Sequence, residues 1–195
     1  MGQFSFGFKG FIYRFEYKSK LFYLRIFNII LNKAQMNFKC FNGCCDLSIK
    51  PYCKKPFFFD RRSKRQKAGV FIYDPLKNKV LLIQSRGNLW GPPKGTLDND
   101  ETYNRCAIRE VKEETGLDVD ESQFLCSISI QNKAVYFLIQ SDECDVTVQD
   151  HIYGNDANGI GWIKIECLNE LINKGKIALN SHCKIAFQRF LNVSF

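Results

Sequence analysis

The sequence predicts an α/β fold, a sandwich of helices around a mixed β-sheet, and three observations carry that expectation. Short β-branched and aliphatic runs recur from residue 68 onward, a capped helical stretch interrupts them, and strands and helices do not alternate as in a doubly wound sheet. The 195 residues, 45% of them hydrophobic, suffice for one full core and an appendage.

Each element follows from local chemistry. Residues 68–73 and 80–84 read as two strands joined by a turn through Asp74-Pro75 and Asn78. The passage Trp90-Gly91-Pro92-Pro93-Lys94-Gly95 cannot be helix interior and is expected to be loop. Asn99 or Asp100 is placed to cap a helix over 101–115, which Gly116 closes as a left-handed terminator. Residues 124–130, 134–140 and 160–165 read as further strands, and 168–173 and 182–191 as final helices. No internal repeat is visible.

Composition divides the chain into three zones: an aromatic and basic extension over 1–35, a cysteine-containing basic linker over 36–65, and a remainder over 66–195 with regular strand and helix patterning. Residues 21–33 have the pattern of a helix with a narrow polar stripe through Arg25, Asn28 and Asn32, suited to a membrane surface or a partner. A start of translation at Met36 is the competing expectation for that zone. Its longest apolar run, 21–31, is short for a bilayer span and contains Arg25. Lys9, Arg14, Lys18 and Lys20 interrupt what would be a signal peptide, and Phe6 stands where a myristoylation motif needs Ser or Thr.

The net charge of +8 is unevenly distributed. Residues 1–67 hold 15 of the 28 Lys and Arg but 3 of the 20 Asp and Glu, leaving +12, so the remainder carries −4. An acidic body behind a basic front fits carboxylates that gather a cation in one part and a polyanion met by another; a solvated charged face is the plainer alternative. Nine cysteines, an odd number without the even framework of a small secreted domain, point to reduced thiols and a cytoplasmic setting. Zinc at Cys40, Cys44, Cys45 and Cys53 is not expected, because only Cys40 with Cys44 or Cys45 forms a short chelating pair.

The chemistry concentrates in the predicted helix. Glu110, Glu113 and Glu114 stand at i, i+3 and i+4, so their carboxylates project from one face within about a 100° arc. Carboxylates that close repel one another unless a cation sits between them, and oxygen-only ligands favour a hard ion, Mg2+ or Mn2+, over zinc. Arg109 precedes the cluster, and Glu101 lies about two turns earlier, within reach of an ion pair. Taken alone, such a cluster is more often a solvated face.

The wider spacing changes that reading. Gly95-x₅-Glu101-x₇-Arg109-Glu110-Val111-x-Glu113-Glu114-x-Gly116-Leu117 matches at every specified position the signature G-x₅-E-x₇-R-E-U-x-E-E-x-G-U, where U is a bulky aliphatic residue, and so resembles the Nudix hydrolases. The resemblance implies a Nudix-type α/β/α sandwich around a mixed β-sheet across about 66–195. It further implies that Glu110, Glu113 and Glu114 ligate Mg2+ or Mn2+ with the Gly95 carbonyl nearby, and that Arg109 and Glu101 hold the loop-helix-loop together while Gly95 and Gly116 permit its turns. A metal bridging a diphosphate neutralises its oxygens and acidifies a bound water, so the implied reaction is hydrolysis of a phosphoanhydride in a nucleoside diphosphate derivative. Lys94 is placed to offer a point charge to a phosphate.

The loop Trp90-Gly91-Pro92-Pro93-Lys94-Gly95 resembles both the catalytic subunits of mRNA decapping enzymes (W-G-x-P-K-G) and diadenosine tetraphosphate hydrolases (P-P-K-G). Decapping relatives place a general-base glutamate six residues before the tryptophan of an I-E-W-like strand; here Ile160-Gly161-Trp162 puts Asp156 there, with Gly161 in place of the strand's glutamate. A loop-capping aspartate is the competing role for Asp156. Capped RNA is therefore the expected substrate, with RNA contact through the basic flank, and a dinucleoside polyphosphate or another nucleotide derivative is the alternative. A binding-only protein is a third possibility, disfavoured because every glutamate of the signature is present. Phe71, Tyr73, Tyr136 and Phe137 are available to stack on a base, with core packing expected for most of them.

Overall fold

The computed structural model describes residues 36–50, 66–85, 89–149 and 155–195. The helix expected over 21–33, Cys53 and the basic run Arg61, Arg62, Lys64 and Arg65 lie outside the described residues.

In chain order the strands are β1 (Met36–Lys39), β2 (Asp46–Ile49), β3 (Lys67–Asp74), β4 (Lys79–Ser85), β5 (Leu89–Gly91), β6 (Lys94–Thr96), β7 (Cys126–Ile130), β8 (Ala134–Gln140), β9 (Ala157–Lys164) and β10 (Ala178–Leu179). The helices are α1 (Tyr103–Thr115), α2 (Ile165–Asn173) and α3 (Ser181–Leu191). The sheet runs β1-β2-β9-β4-β3-β8-β7, with β5, β6 and β10 attached at its flank. β3 pairs with β8 in parallel and with β4 antiparallel, so the sheet is mixed, as expected.

The alternation of side chains along the central strands sorts the core into two layers. Val70 and Ile72 of β3 and Leu81 and Ile83 of β4 face Cys106, Ala107 and Val111 of α1. Phe71, Val80 and Leu82 face the other way, onto Leu168 and Leu171 of α2 and Cys183, Ala186 and Phe187 of α3. Helices on both faces make the α/β/α sandwich. Phe71 meets Phe187 edge-on at 5.1 Å, the favourable geometry for two ring quadrupoles. Among the described residues no helix is long and apolar enough to cross a membrane.

Four local differences from the sequence reading have physical causes. The Trp90–Gly95 passage, expected as loop, contributes two three-residue strands. β5 pairs with β4 and β10 and β6 with β3, while the prolines between them, which cannot donate, still let the Pro93 carbonyl accept Val70 N–H at 3.0 Å. Helix α1 begins after Thr102, whose hydroxyl caps Arg105 N–H at 3.3 Å, and neither Asn99 nor Asp100 is the cap. Glu101 is held back in the preceding turn because its carboxylate accepts Asp98 N–H at 3.0 Å. Residues 124–125 precede β7, following a short 3₁₀ turn at Glu121–Gln123 that Asp120 caps. Finally, the stretch read as linker contains β1 and β2, a hairpin that adds to the sheet through β9.

Candidate active site

Helix α1 is fixed by two opposed requirements. Its apolar side lies on the sheet, and its carboxylate-bearing side meets the turn that enters it from β6. Gly116 ends it at φ +79°, where its N–H bonds the Lys112 carbonyl at 3.0 Å, a left-handed stop that glycine adopts without steric cost.

Arg109 is the hub. Its guanidinium grips Glu101 with two bonds of 2.9 Å, donates to the Thr96 carbonyl at 3.2 Å, and reaches Glu110 at 2.8 Å and Glu113 at 3.2 Å. The planar fork thus ties the turn after β6 to the helix, which a lysine's single ammonium could not do. This bond to Arg109 holds the Glu101 carboxyl below its ordinary value against the opposing effect of burial, and Glu101 in turn raises that of Arg109.

The remaining carboxylates are held at a cost. Glu114 is buried, and burial pushes its pKa up to about 8 despite the Lys94 charge, with Glu110 and Asp156 adding to the rise. One of its oxygens accepts Lys94 N–H at 2.8 Å. Glu110 is likewise raised by burial against the pull of Arg109, with Glu113 and Asp156 reinforcing the shift. The Glu110 carboxyl occupies the space where any side chain at position 95 would begin, so only glycine fits there.

Glu110 thus closes on Gly95 of β6 and Glu114 on the Lys94 N–H, Glu113 shares Arg109 with Glu110, and Asp156 lies near enough to raise both Glu110 and Glu114. The donor set is oxygen-only, and repulsion among buried carboxylates is what a hard divalent cation would relieve, so these residues fit Mg2+ or Mn2+. Among the described residues no three of these carboxylates close to the mutual spacing of a ligand set: Glu110 and Glu113 share Arg109 instead.

Asp156 stands at the entry to β9, positioned by a neighbour that sequence reasoning missed. The Asn155 amide donates to the Glu113 carbonyl at 2.8 Å and to the Gln149 carbonyl at 3.0 Å, and its oxygen accepts Ala157 N–H at 2.9 Å. It thereby stitches the last turn of α1 to the start of β9. His182 was also missed: burial, with Lys94 and Lys67 nearby, lowers its pKa, and its Nδ1 meets the Tyr136 hydroxyl at 3.1 Å. A lone asparagine or histidine has no spacing signature that would have revealed either. Of the aromatic candidates, Phe71, Tyr136 and Phe137 are buried in the core, and Tyr73 donates to Asn78 at 2.9 Å. Trp90, in β5, is fully buried as well, so it serves packing rather than base stacking.

Comparison with known proteins agrees with this geometry. The NUDIX domain family model matches residues 63–177. Protein 111R of Invertebrate iridescent virus 3, designated a hydrolase, is 37% identical over 156 residues, covering 74% of this chain and 88% of that protein. The m7GpppN-mRNA hydrolase of Saccharomyces cerevisiae is 30% identical over 114 residues, 56% of this chain but 12% of the yeast protein. The dihydroneopterin triphosphate diphosphatase of Haemophilus influenzae is 35% identical over 80 residues, 38% of this chain and 51% of that enzyme. A complete signature on a matching α/β/α frame, together with a relative of nearly equal extent, makes this chain a member of the Nudix hydrolase family, a phosphoanhydride hydrolase acting on a nucleotide-derived substrate.

Proposed function

We propose that the chain is a Mg2+- or Mn2+-dependent pyrophosphohydrolase in which Glu110, Glu113 and Glu114 hold the metal near the Gly95 carbonyl. When bound, the metal would neutralise the diphosphate and acidify a water. The single observation that carries this reading is the approach of Glu110 and Glu114 to β6 at Gly95 and Lys94, both carboxyls pushed toward neutrality by burial. Arg109 and Glu101 act as positioning residues, because their bidentate pair fixes the turn to the helix on which the ligands stand. Lys94 supplies a charge to the phosphates, and Asp156, held by its neighbour Asn155, takes the proton of the attacking water.

The relatives are named for differing substrates, an mRNA cap and dihydroneopterin triphosphate among them, and the chain spans a small part of the yeast enzyme. Their spread supports a nucleotide-derivative pyrophosphohydrolase, the dinucleoside polyphosphate class included, more directly than one dedicated to capped RNA. Capped RNA is the second reading, favoured by a specific observation: residues 1–67 carry +12, and counterion release from an RNA backbone rewards such a front where a small dinucleotide would not.

Incubation with capped RNA, diadenosine tetraphosphate and nucleoside triphosphates, in Mg2+ and in Mn2+, tests both readings through the identity of the released nucleotide. No hydrolysis of any of them in either metal overturns the proposal. For the RNA reading, cleavage of capped RNA weakens steeply with added salt while a free cap dinucleotide barely responds; a flat response for both defeats it.

A further inference from the structure

The β1–β2 hairpin brings together thiols that the reaction does not use. Cys40 and Cys44 lie at 3.4 Å sulfur to sulfur, Cys44 and Cys45 at 3.8 Å, and Cys44 and Cys167 at 3.4 Å. All four sulfurs lie within 4.8 Å of one another. A tetrahedral zinc–thiolate centre with Zn–S bonds of about 2.3 Å has sulfurs separated by about 3.8 Å, within this range.

We propose that Cys40, Cys44, Cys45 and Cys167 bind one zinc ion in a closed thiolate site that fastens the β1–β2 hairpin to β9 and α2. The inference does not depend on the reaction at the glutamates. Three features support it beyond proximity. The ligands come from two segments, the hairpin turn and the first turn of α2, 123 residues apart between Cys44 and Cys167, so the ion would cross-link elements with no covalent connection nearby. The turn that presents them is already shaped: Gly43 sits at φ +68° and donates to the Cys40 carbonyl at 3.0 Å, and Cys40 N–H returns to the Cys45 carbonyl at 3.3 Å. The backbone N–H of Lys164, the last residue of β9, points at the Cys45 sulfur at 3.2 Å, the outer hydrogen bond that steadies a thiolate ligand. Each thiol gives up its proton to solvent as the metal binds.

Soft sulfur ligands and four protein donors with no open position mark a structural rather than a catalytic zinc. Cys40, Cys45 and Cys167 are buried and all eight described cysteines are unpaired, so the thiols are present in the form a metal needs. At Gly161 of β9 a side chain would run into the Asp46 carbonyl and the Leu47 backbone, and its absence lets β2 lie close enough to present the turn. The fourth ligand is Cys167, which sequence spacing could not pair with the hairpin; Cys53 lies outside the described residues.

The test uses the full chain, expressed with zinc supplied and purified without chelator. Elemental analysis should find about one zinc per chain that survives washing with magnesium. Cobalt in its place should give thiolate charge-transfer and tetrahedral d–d absorption, which the glutamate site cannot produce. Cys167→Ser and Cys44→Ser should lower zinc content at least about tenfold, while Cys126→Ser, at an exposed cysteine outside the cluster, should leave it unchanged. If the variants precipitate, blocking thiols on the wild-type chain with a mercurial should release the zinc stoichiometrically. Substoichiometric zinc with freely reactive thiols, iron in place of zinc, or a cobalt spectrum without thiolate bands overturns the proposal.

Discussion

The glutamate turn and the cysteine cluster are assembled in opposite ways. In the first, most of the chemistry lies in 23 consecutive residues, from Gly95 to Leu117, and the helix repeat alone puts Glu110, Glu113 and Glu114 side by side. In the second, a hairpin and a helix distant in sequence meet because β2 docks on β9 and α2 follows β9 directly. Hard oxygens hold the one site in tension, with burial raising Glu110 and Glu114; soft sulfurs pack in the other within a continuous apolar core. A local constellation advertises itself by spacing, whereas a tertiary one does not.

The sharpest way to break this contrast is at the glutamates. Glu113→Gln or Glu114→Gln should cut kcat by about 10²- to 10³-fold with the fold intact by circular dichroism. Near-normal turnover in both would remove the active-site assignment. Because Glu114 resists ionisation when buried, its glutamine variant should melt no lower than the wild type in the absence of metal.

Gly95→Ala is the next strongest. The added methyl meets the Glu110 carboxyl, so activity should fall about tenfold or more and stability by about 1–3 kcal/mol, read by kinetics and urea unfolding. A silent substitution would mean that β6 and Glu110 are not in close contact.

Burial of Glu114 also sets a pH dependence. Its pKa rises from 4.5 to about 8 on folding, so between those values the folded metal-free chain keeps a proton that the unfolded chain has released, and stability falls as pH climbs through this window. If Glu114 ligates magnesium as proposed, the ion would displace that proton, and its increment in Tm should grow from pH 6 to pH 9. A flat or opposite trend by thermal melting would argue against Glu114 as a ligand.

Glu101→Gln tests the support of the site, with an expected loss of about 1.5–3 kcal/mol at pH 7. Here the sign reverses: Arg109 lowers the folded pKa, so the stabilisation is present above the ordinary 4.5 and is lost as pH falls through the folded value. Urea melts at pH 7 and pH 3 should show the difference between wild type and variant shrinking in acid. The smallest effect belongs to the surface: Asp118→Asn, which breaks an exposed pair with Lys112, should change stability by less than about 0.5 kcal/mol.

Much of the frame was legible in the sequence because strand alternation and helix caps are local. The strand at 134–140 matches the observed β8, and the final helices differ from α2 and α3 at their starts only, by three residues and one. What escaped was local competition and edge pairing. Thr102 displaced Asn99 and Asp100 as cap once the Glu101 carboxylate turned to Arg109 and Asp98 N–H, and β5 and β6 became strands when β3, β4 and β10 offered partners. The glutamates, Arg109 and Gly95 could be named from spacing; Asn155 could not, since it acts through the Glu113 and Gln149 carbonyls, from other parts of the fold.

By itself, the sequence determined the α/β class, the face of α1 that carries three carboxylates and the glycine that ends that helix, because each depends on residues within a few positions of one another. Only the tertiary structure decided that Glu114 is buried, that Asp156 reaches the site on Asn155, that Trp90 packs in the core and that Cys167 completes a ring of thiols. The order of strands, with β9 between β2 and β4, sets those distances, and sheet order follows from how two apolar faces are covered at once rather than from any short stretch of chain.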